Sequence, residues 1–231
     1  MKEYQDQKNP RRQFIGSLAG AATVGIAALT SPFVSQANVD DPVIEGDPEA
    51  FFNKITGKRK VVFDATRPHE VMPFAWPLVF LMTNEATGSP NSDCSVVVVL
   101  RHDAIPYAMK DELWAKYKFG EVFKAGDPVA GTEAAARNPF LNVKPGDYKI
   151  PGFGEVPIGI NQLMEKGVMF CVCNAAMTVY SAVIAEQAKL DAATVKKEWE
   201  AGVIPGVQIV PSGVWALGRA QEKGCAYIFA G

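Results

Sequence analysis

The sequence is poor in the side chains from which most metal and nucleotide sites are built. It holds two histidines, His69 and His102, and four cysteines, Cys94, Cys171, Cys173 and Cys225, none of them in a close-spaced Cys/His ligand pattern. It has no GxGxxG, no GxxxxGK[ST] and no CxxCH, so nicotinamide, nucleotide and c-type haem readings lack support. It has no basic block, and a formal net charge of −2 leaves no electrostatic footprint for nucleic acid. At 231 residues and 48% hydrophobic content the chain has room for one sizeable core, so four cysteines need not form a disulfide scaffold. The apolar run from Phe14 to Leu29 has sixteen residues and three glycines, short of the ~20 that span a bilayer.

What is present begins with that run. Arg11-Arg12-Gln13-Phe14-Ile15 follows a polar start and opens it, and Ser35-Gln36-Ala37 supplies small residues for cleavage. Twin arginine, a nearby phenylalanine and a modest apolar core predict a Tat export signal over residues 1–37, cleaved near Ala37. An uncleaved anchor is the other reading. Export implies a periplasmic protein, with the Tat translocase as its partner during transfer. Residues 38–59 read as a linker with a short helix near Pro48–Ile55.

From residue 60 onward, strand and helix patterns alternate. Val61–Asp64 predicts a first strand, and Glu70–Met82 a helix bent or delayed by Pro73 and Pro77. Cys94–Leu100, CSVVVVL, is the clearest strand, apolar enough for burial on both faces. Ala104–Phe119 reads as helical after Pro106, with Trp114, Tyr117 and Phe119 as core or interface aromatics. Gly120–Gly159 has seven glycines and five prolines and predicts a long insertion serving as lid, pocket wall or assembly arm. A short helix at Asn161–Lys166 precedes the strand Val168–Val172. Helices over Ala175–Leu190 and Asp191–Ala201, a strand at Val207–Val210, a Ser212-capped helix over Gly213–Glu222 and a last strand at Ala226–Phe229 complete the order. Such alternation predicts an α/β domain with a mostly parallel sheet and right-handed crossovers.

Cys173 falls at the carboxyl end of a strand and just before a helix, which Asn174 is expected to cap. The free N–H groups of a helix amino terminus favour negative charge, and the thiolate is the reactive form of cysteine. The carboxyl edge of an open parallel sheet is also where ligands bind. Cys171 shares a face with Cys173 on an extended strand, but their Cα atoms are about 7 Å apart, too far for an easy disulfide. Cys94 and Cys225 open strands and read as structural thiols, with a bond between them as the alternative.

GVMFCVCN at a strand–helix junction, followed by VIPGVQIVPSGVWALGRAQEKGCAYI, resembles the DsrE/DsrF-like (YchN-like) superfamily. In that family a strand ends in cysteine, a PSG turn opens a helix with an Ala-Leu pair and a later Gln, and a Gly precedes a short final strand. These features match Cys173, Pro211-Ser212-Gly213, Ala216, Leu217, Gln221 and Gly224 before Ala226–Phe229. Val61–Asp64 and Cys94–His102 match the first two strands more loosely. The resemblance implies a flavodoxin-like, doubly wound sheet of five strands, trimers or hexamers, and sulfur handling as a persulfide, with a sulfur donor and acceptor protein as partners.

The resulting expectation is sulfur binding or relay on Cys173, with no cofactor. His102, at the end of the second strand, is the candidate activator. Asp64, Arg101, Asn174 and Ser212 lie at the same edge as candidate substrate contacts, although salt bridges account more simply for the first two and helix capping for Ser212. A small-molecule or metal site formed by Cys173, His102 and His69 is the first alternative. An assembly protein without chemistry is the second.

Overall fold

The computed structural model describes residues 47–231. The expected export signal and the start of the expected linker lie outside these residues. Among the described residues, no helix is long and apolar enough to cross a membrane.

The described chain opens with α1 (Pro48–Asn53), capped by the Asp47 carboxylate accepting from the Glu49 amide. This segment was expected to belong to a linker. Phe51, Phe52 and Ile55 are instead buried against the sheet, in one core cluster with Val62, Val97, Val99, Cys171 and Val210. The domain core therefore begins well before residue 60.

Five strands build the main sheet: β1 (Arg59–Ala65), β2 (Cys94–Leu100), β5 (Val168–Cys173), β6 (Gln208–Val210) and β7 (Ala226–Phe229). Their spatial order is β6-β5-β2-β1-β7, and all four pairings are parallel. The chain steps outward from β1 through β2 and β5 to β6, then returns to place β7 on the other side of β1. Right-handed crossovers put connections running in opposite directions on opposite faces. The result is an α/β fold consistent with a flavodoxin-like doubly wound arrangement, as the sequence predicts. The run of four valines in β2 is buried throughout, as its central place requires.

One face is covered by α1 and by α8 (Gly213–Glu222), whose Ala216, Leu217 and Ala220 join the cluster named above. The other is an aromatic layer. Phe74 of α2 (Met72–Ala86) stacks on Phe140 at 4.1 Å and lies 6.2 Å from Phe170 of β5. Tyr107 packs edge-on to both Phe74 and Phe140, and Phe140 stacks on Tyr148. Two of these rings come from the insertion, which is thereby fixed to the core.

The helical expectations hold with local breaks. α2 starts two residues later than expected, with Pro73 in its first turn, where a missing N–H costs nothing. Ala104–Phe119 is not one helix. A 3₁₀ segment (His102–Ala108) is followed by α3 (Asp111–Tyr117) and α4 (Phe119–Val122), separated at Lys118, whose φ of 51° ends the α-helical path. The insertion contains α4 and a small hairpin of β3 (Lys149–Ile150) and β4 (Gly154–Glu155). α5 (Ile160–Glu165) then leads into β5, which is followed by α6 (Asn174–Ala188) and α7 (Ala192–Ala201).

The insertion is pinned by Asn138, which is completely buried. Its amide donates to the carbonyls of Tyr107 and Met109, both at 2.9 Å, and its side-chain oxygen accepts from the Phe140 amide at 3.1 Å. One side chain thus satisfies three backbone groups that would otherwise be buried without partners.

Candidate functional site

Register builds the site. Leu100 of β2 pairs with Val172 of β5, so Arg101 and Cys173, one residue further on, lie level on neighbouring strands. Ala65 pairs with Leu100, so Asp64 is two residues behind the Arg101 level and on the same face. The chain after β6 brings Pro211-Ser212-Gly213 to the same edge. Asp64, Arg101, Cys173 and Ser212, all named from the sequence, therefore converge at the carboxyl edge of the sheet.

Cys173 is 6% exposed. Its sulfur accepts from the Ala176 amide at 3.3 Å and so caps α6. The cap expected of Asn174 is made by the preceding residue, because the strand runs straight into the helix and Cys173 still has extended backbone. Asn174, already in the helix, accepts from Lys196 at 2.7 Å, and Lys196 also pairs with Glu200. The second contact of the α6 amino terminus is Ala175, whose amide donates to the Pro211 carbonyl at 3.1 Å.

The charge beside Cys173 comes from Arg101. Its guanidinium donates twice to Asp64, at 2.7 and 2.9 Å, and Asp64 also accepts from the Tyr227 hydroxyl at 2.8 Å. The bonds to Asp64 hold the Arg101 guanidinium further into its charged form against the cost of burial, and the nearby Cys173 acts in the same sense. Gly213 lets α8 start directly over this side chain, since a Cβ there would lie 2.5 Å from Arg101 Cβ. Ser212 caps α8 by accepting from the Trp215 amide at 3.2 Å, as the sequence predicts.

His102 belongs to a different cluster. It sits in left-handed backbone (φ 50°), with Nδ1 3.2 Å from the Asp103 carboxylate and Nε2 3.4 Å from the Tyr180 hydroxyl. Tyr180 donates to the same carboxylate. The bond to Asp103 raises the His102 pKa despite partial burial. Burial pushes the Asp103 carboxyl up, but the bonds from His102 and Tyr180 outweigh it and hold that pKa below its ordinary value. The backbone turn at residue 102 directs the imidazole to Asp103 and to Tyr180 of α6, and among the described residues it makes no bond to the Cys173 sulfur expected as its partner. His69 Nδ1 lies 3.4 Å from the Ala230 carbonyl. The three-residue cluster of His69, His102 and Cys173 is not formed. Among the described residues, no group of three or more His, Cys, Asp or Glu side chains is placed to hold a metal ion.

All four cysteines are free, so the alternative of a Cys94–Cys225 bond is not realised. Burial pushes the Cys94, Cys171 and Cys225 thiols up, away from the thiolate. Sequence reasoning missed Tyr227, Asp103 and Tyr180. Asp103 was visible as the acid next to His102. Tyr227 becomes legible only once β7 is known to flank β1, which places it on the Asp64 face.

No protein-family model matches the chain, and no curated protein matches it closely enough to count as a relative. Among solved structures, the chain is similar to a protein of unknown function, MTH1491, from Methanobacterium thermoautotrophicum. The two are 17% identical, with 74% of this chain and 98% of that chain covered and a TM-score of 0.38.

Proposed function

We propose that the protein is a DsrE-like sulfur carrier in which Cys173 holds sulfane sulfur as a persulfide. The observation that carries this reading is the setting of the Cys173 sulfur. It accepts an N–H at the amino terminus of α6 and lies beside Arg101, which Asp64 holds in place. A helix-terminal N–H and a cationic side chain both attract negative charge on sulfur.

In the loading step the Cys173 thiolate attacks one sulfur of a polysulfide. A Cys–S–S bond forms, an S–S bond of the donor breaks, and a polysulfide one sulfur shorter leaves with the electron pair. Transfer onward is the same exchange to an acceptor thiolate, and neither step needs an external oxidant. With Cys173 only 6% exposed, the site suits a small donor rather than a bulky one.

The test is intact-mass spectrometry after polysulfide exposure, comparing wild type with Cys173→Ser. A gain of about one sulfur atom on wild type alone, reversed by reductant, is expected from a reducible S–S bond. A gain that survives in Cys173→Ser, or none in wild type, would remove the basis of this reading.

A further inference from the structure

A cavity lies on the same edge of the sheet, with Cys173 not among its lining residues. It has a volume of about 500 Å³ and lies between the turn after β1, with Pro68, Glu70 and Val71, and the insertion, with Lys124 and Glu133. Tyr107, from the 3₁₀ segment after β2, also lines it. Its size is that of small-molecule sites, and its place beyond the strand ends is where open α/β sheets bind ligands.

Three observations on its walls point to an occupant. Tyr107 is 2% exposed, and its ring is enclosed by Phe74, Trp114 and Phe140, yet its hydroxyl makes no hydrogen bond among the described residues. The ring is buried but the hydroxyl keeps some access to solvent, so it opens to the cavity, where water or a ligand is its partner. The exposed charges form the second observation. Glu70, Lys124 and Glu133 make no close ion pair among the described residues, although Lys124 acts on the Asp103 carboxylate at longer range, whereas Asp127 beside them is fully used by Arg137 and by the Val129 and Ala130 amides. Finally, Glu70 (φ 48°) and Lys124 (φ 53°) are both held in left-handed backbone, a strained state for residues with a Cβ, and both line this cavity.

We infer that this cavity binds a small zwitterion with an apolar body, the chemistry of a free amino acid or a very short peptide. A purely cationic ligand would meet Lys124, and a purely anionic one would meet two carboxylates. A zwitterion offers its carboxylate to Lys124 and its ammonium to Glu70 or Glu133. The Tyr107 hydroxyl supplies a directional hydrogen bond, and Pro68, Val71 and Pro128 receive the apolar part. This inference does not depend on the persulfide reading.

The experiment is a thermal-shift screen of the full chain against the apolar L-amino acids and their homodipeptides, followed by calorimetric titration of whichever binds best. The amidated and N-acetylated forms of that compound carry one charge each and serve as comparisons. Binding is expected to weaken at least tenfold for either blocked form, and at least fivefold in Tyr107→Phe and in Lys124→Met. Cys173→Ser is expected to bind as wild type does. A preference within the screen separates a free amino acid from a dipeptide. Tyr107→Phe removes only an unpartnered hydroxyl and Lys124 is exposed, so both variants are expected to fold. No binding by any compound, equal binding of a blocked form, or unchanged affinity in either variant would overturn the inference.

Discussion

Two glycines of α8 should respond to the same substitution with opposite signs. A Cβ on Gly218 would meet nothing within 4 Å, so Gly218→Ala adds no clash and removes the entropic cost of glycine within a helix. That is worth about 0.5–1 kcal/mol of stabilisation. A Cβ on Gly213 would lie 2.5 Å from Arg101 Cβ and 2.8 Å from its Cδ. Arg101 cannot easily retreat. Its amide is tied to the Ala65 carbonyl at 3.0 Å, and its guanidinium is tied twice to Asp64. Overpacking of this kind costs about 1–3 kcal/mol. Disturbing charge-assisted bonds to a buried carboxylate adds up to about 1–2 kcal/mol, discounted because Arg101 is partly solvated. Gly213→Ala should therefore lose about 1–4 kcal/mol, the sum of these costs less a helix-propensity gain of up to about 1 kcal/mol. Urea unfolding followed by tryptophan fluorescence reads both variants against wild type. A Gly213→Ala protein as stable as wild type would refute the close approach of α8 to Arg101, and with it the pinned guanidinium beside Cys173.

Asn138→Ala should cost about 3–5 kcal/mol, because two carbonyls and one amide lose their buried partner and one entering water can restore only part of the loss. A loss below about 1 kcal/mol in the same urea assay would mean that the insertion is not held at this point. The His102 imidazole should titrate above its ordinary midpoint of about 6.5, and Asp103→Asn should bring it back toward that value, as followed by NMR. Because the folded pKa is raised, the stabilisation from His102 is complete below its unfolded pKa and lost as pH rises through the folded one. The lowered Asp103 pKa acts in the opposite direction, its share being lost as pH falls through the folded value. With the His102 side chain 60% exposed, both effects are small, and a midpoint at or below that of free histidine would contradict the pairing.

The order of strands and helices was legible because each element carries a local pattern. CSVVVVL can be satisfied only in the middle of a parallel sheet, and the Pro-Ser-Gly turn before Val214 specifies both a cap and a helix start. The position of Cys173 at a strand end followed from the same reading. The short helix near residues 48–55 was legible but its burial was not, because a six-residue helix has too few turns to show a periodic face, so burial of Phe51 and Phe52 leaves little trace in sequence. The break at Lys118 was also invisible, since nothing about lysine announces a left-handed φ.

Local chemistry thus sufficed for the fold class and for the place of Cys173 at a strand end. Hydrophobic periodicity, glycine and proline placement and helix capping act over a few residues and are written in consecutive letters. The partners of that position were settled by packing. Asp64 and Tyr227 are 163 residues apart, Asn138 reaches back 31 residues to Tyr107, and the contact of His102 with Tyr180 spans 78 residues. Such contacts arise from strand register and loop closure, whose energies depend on the whole chain.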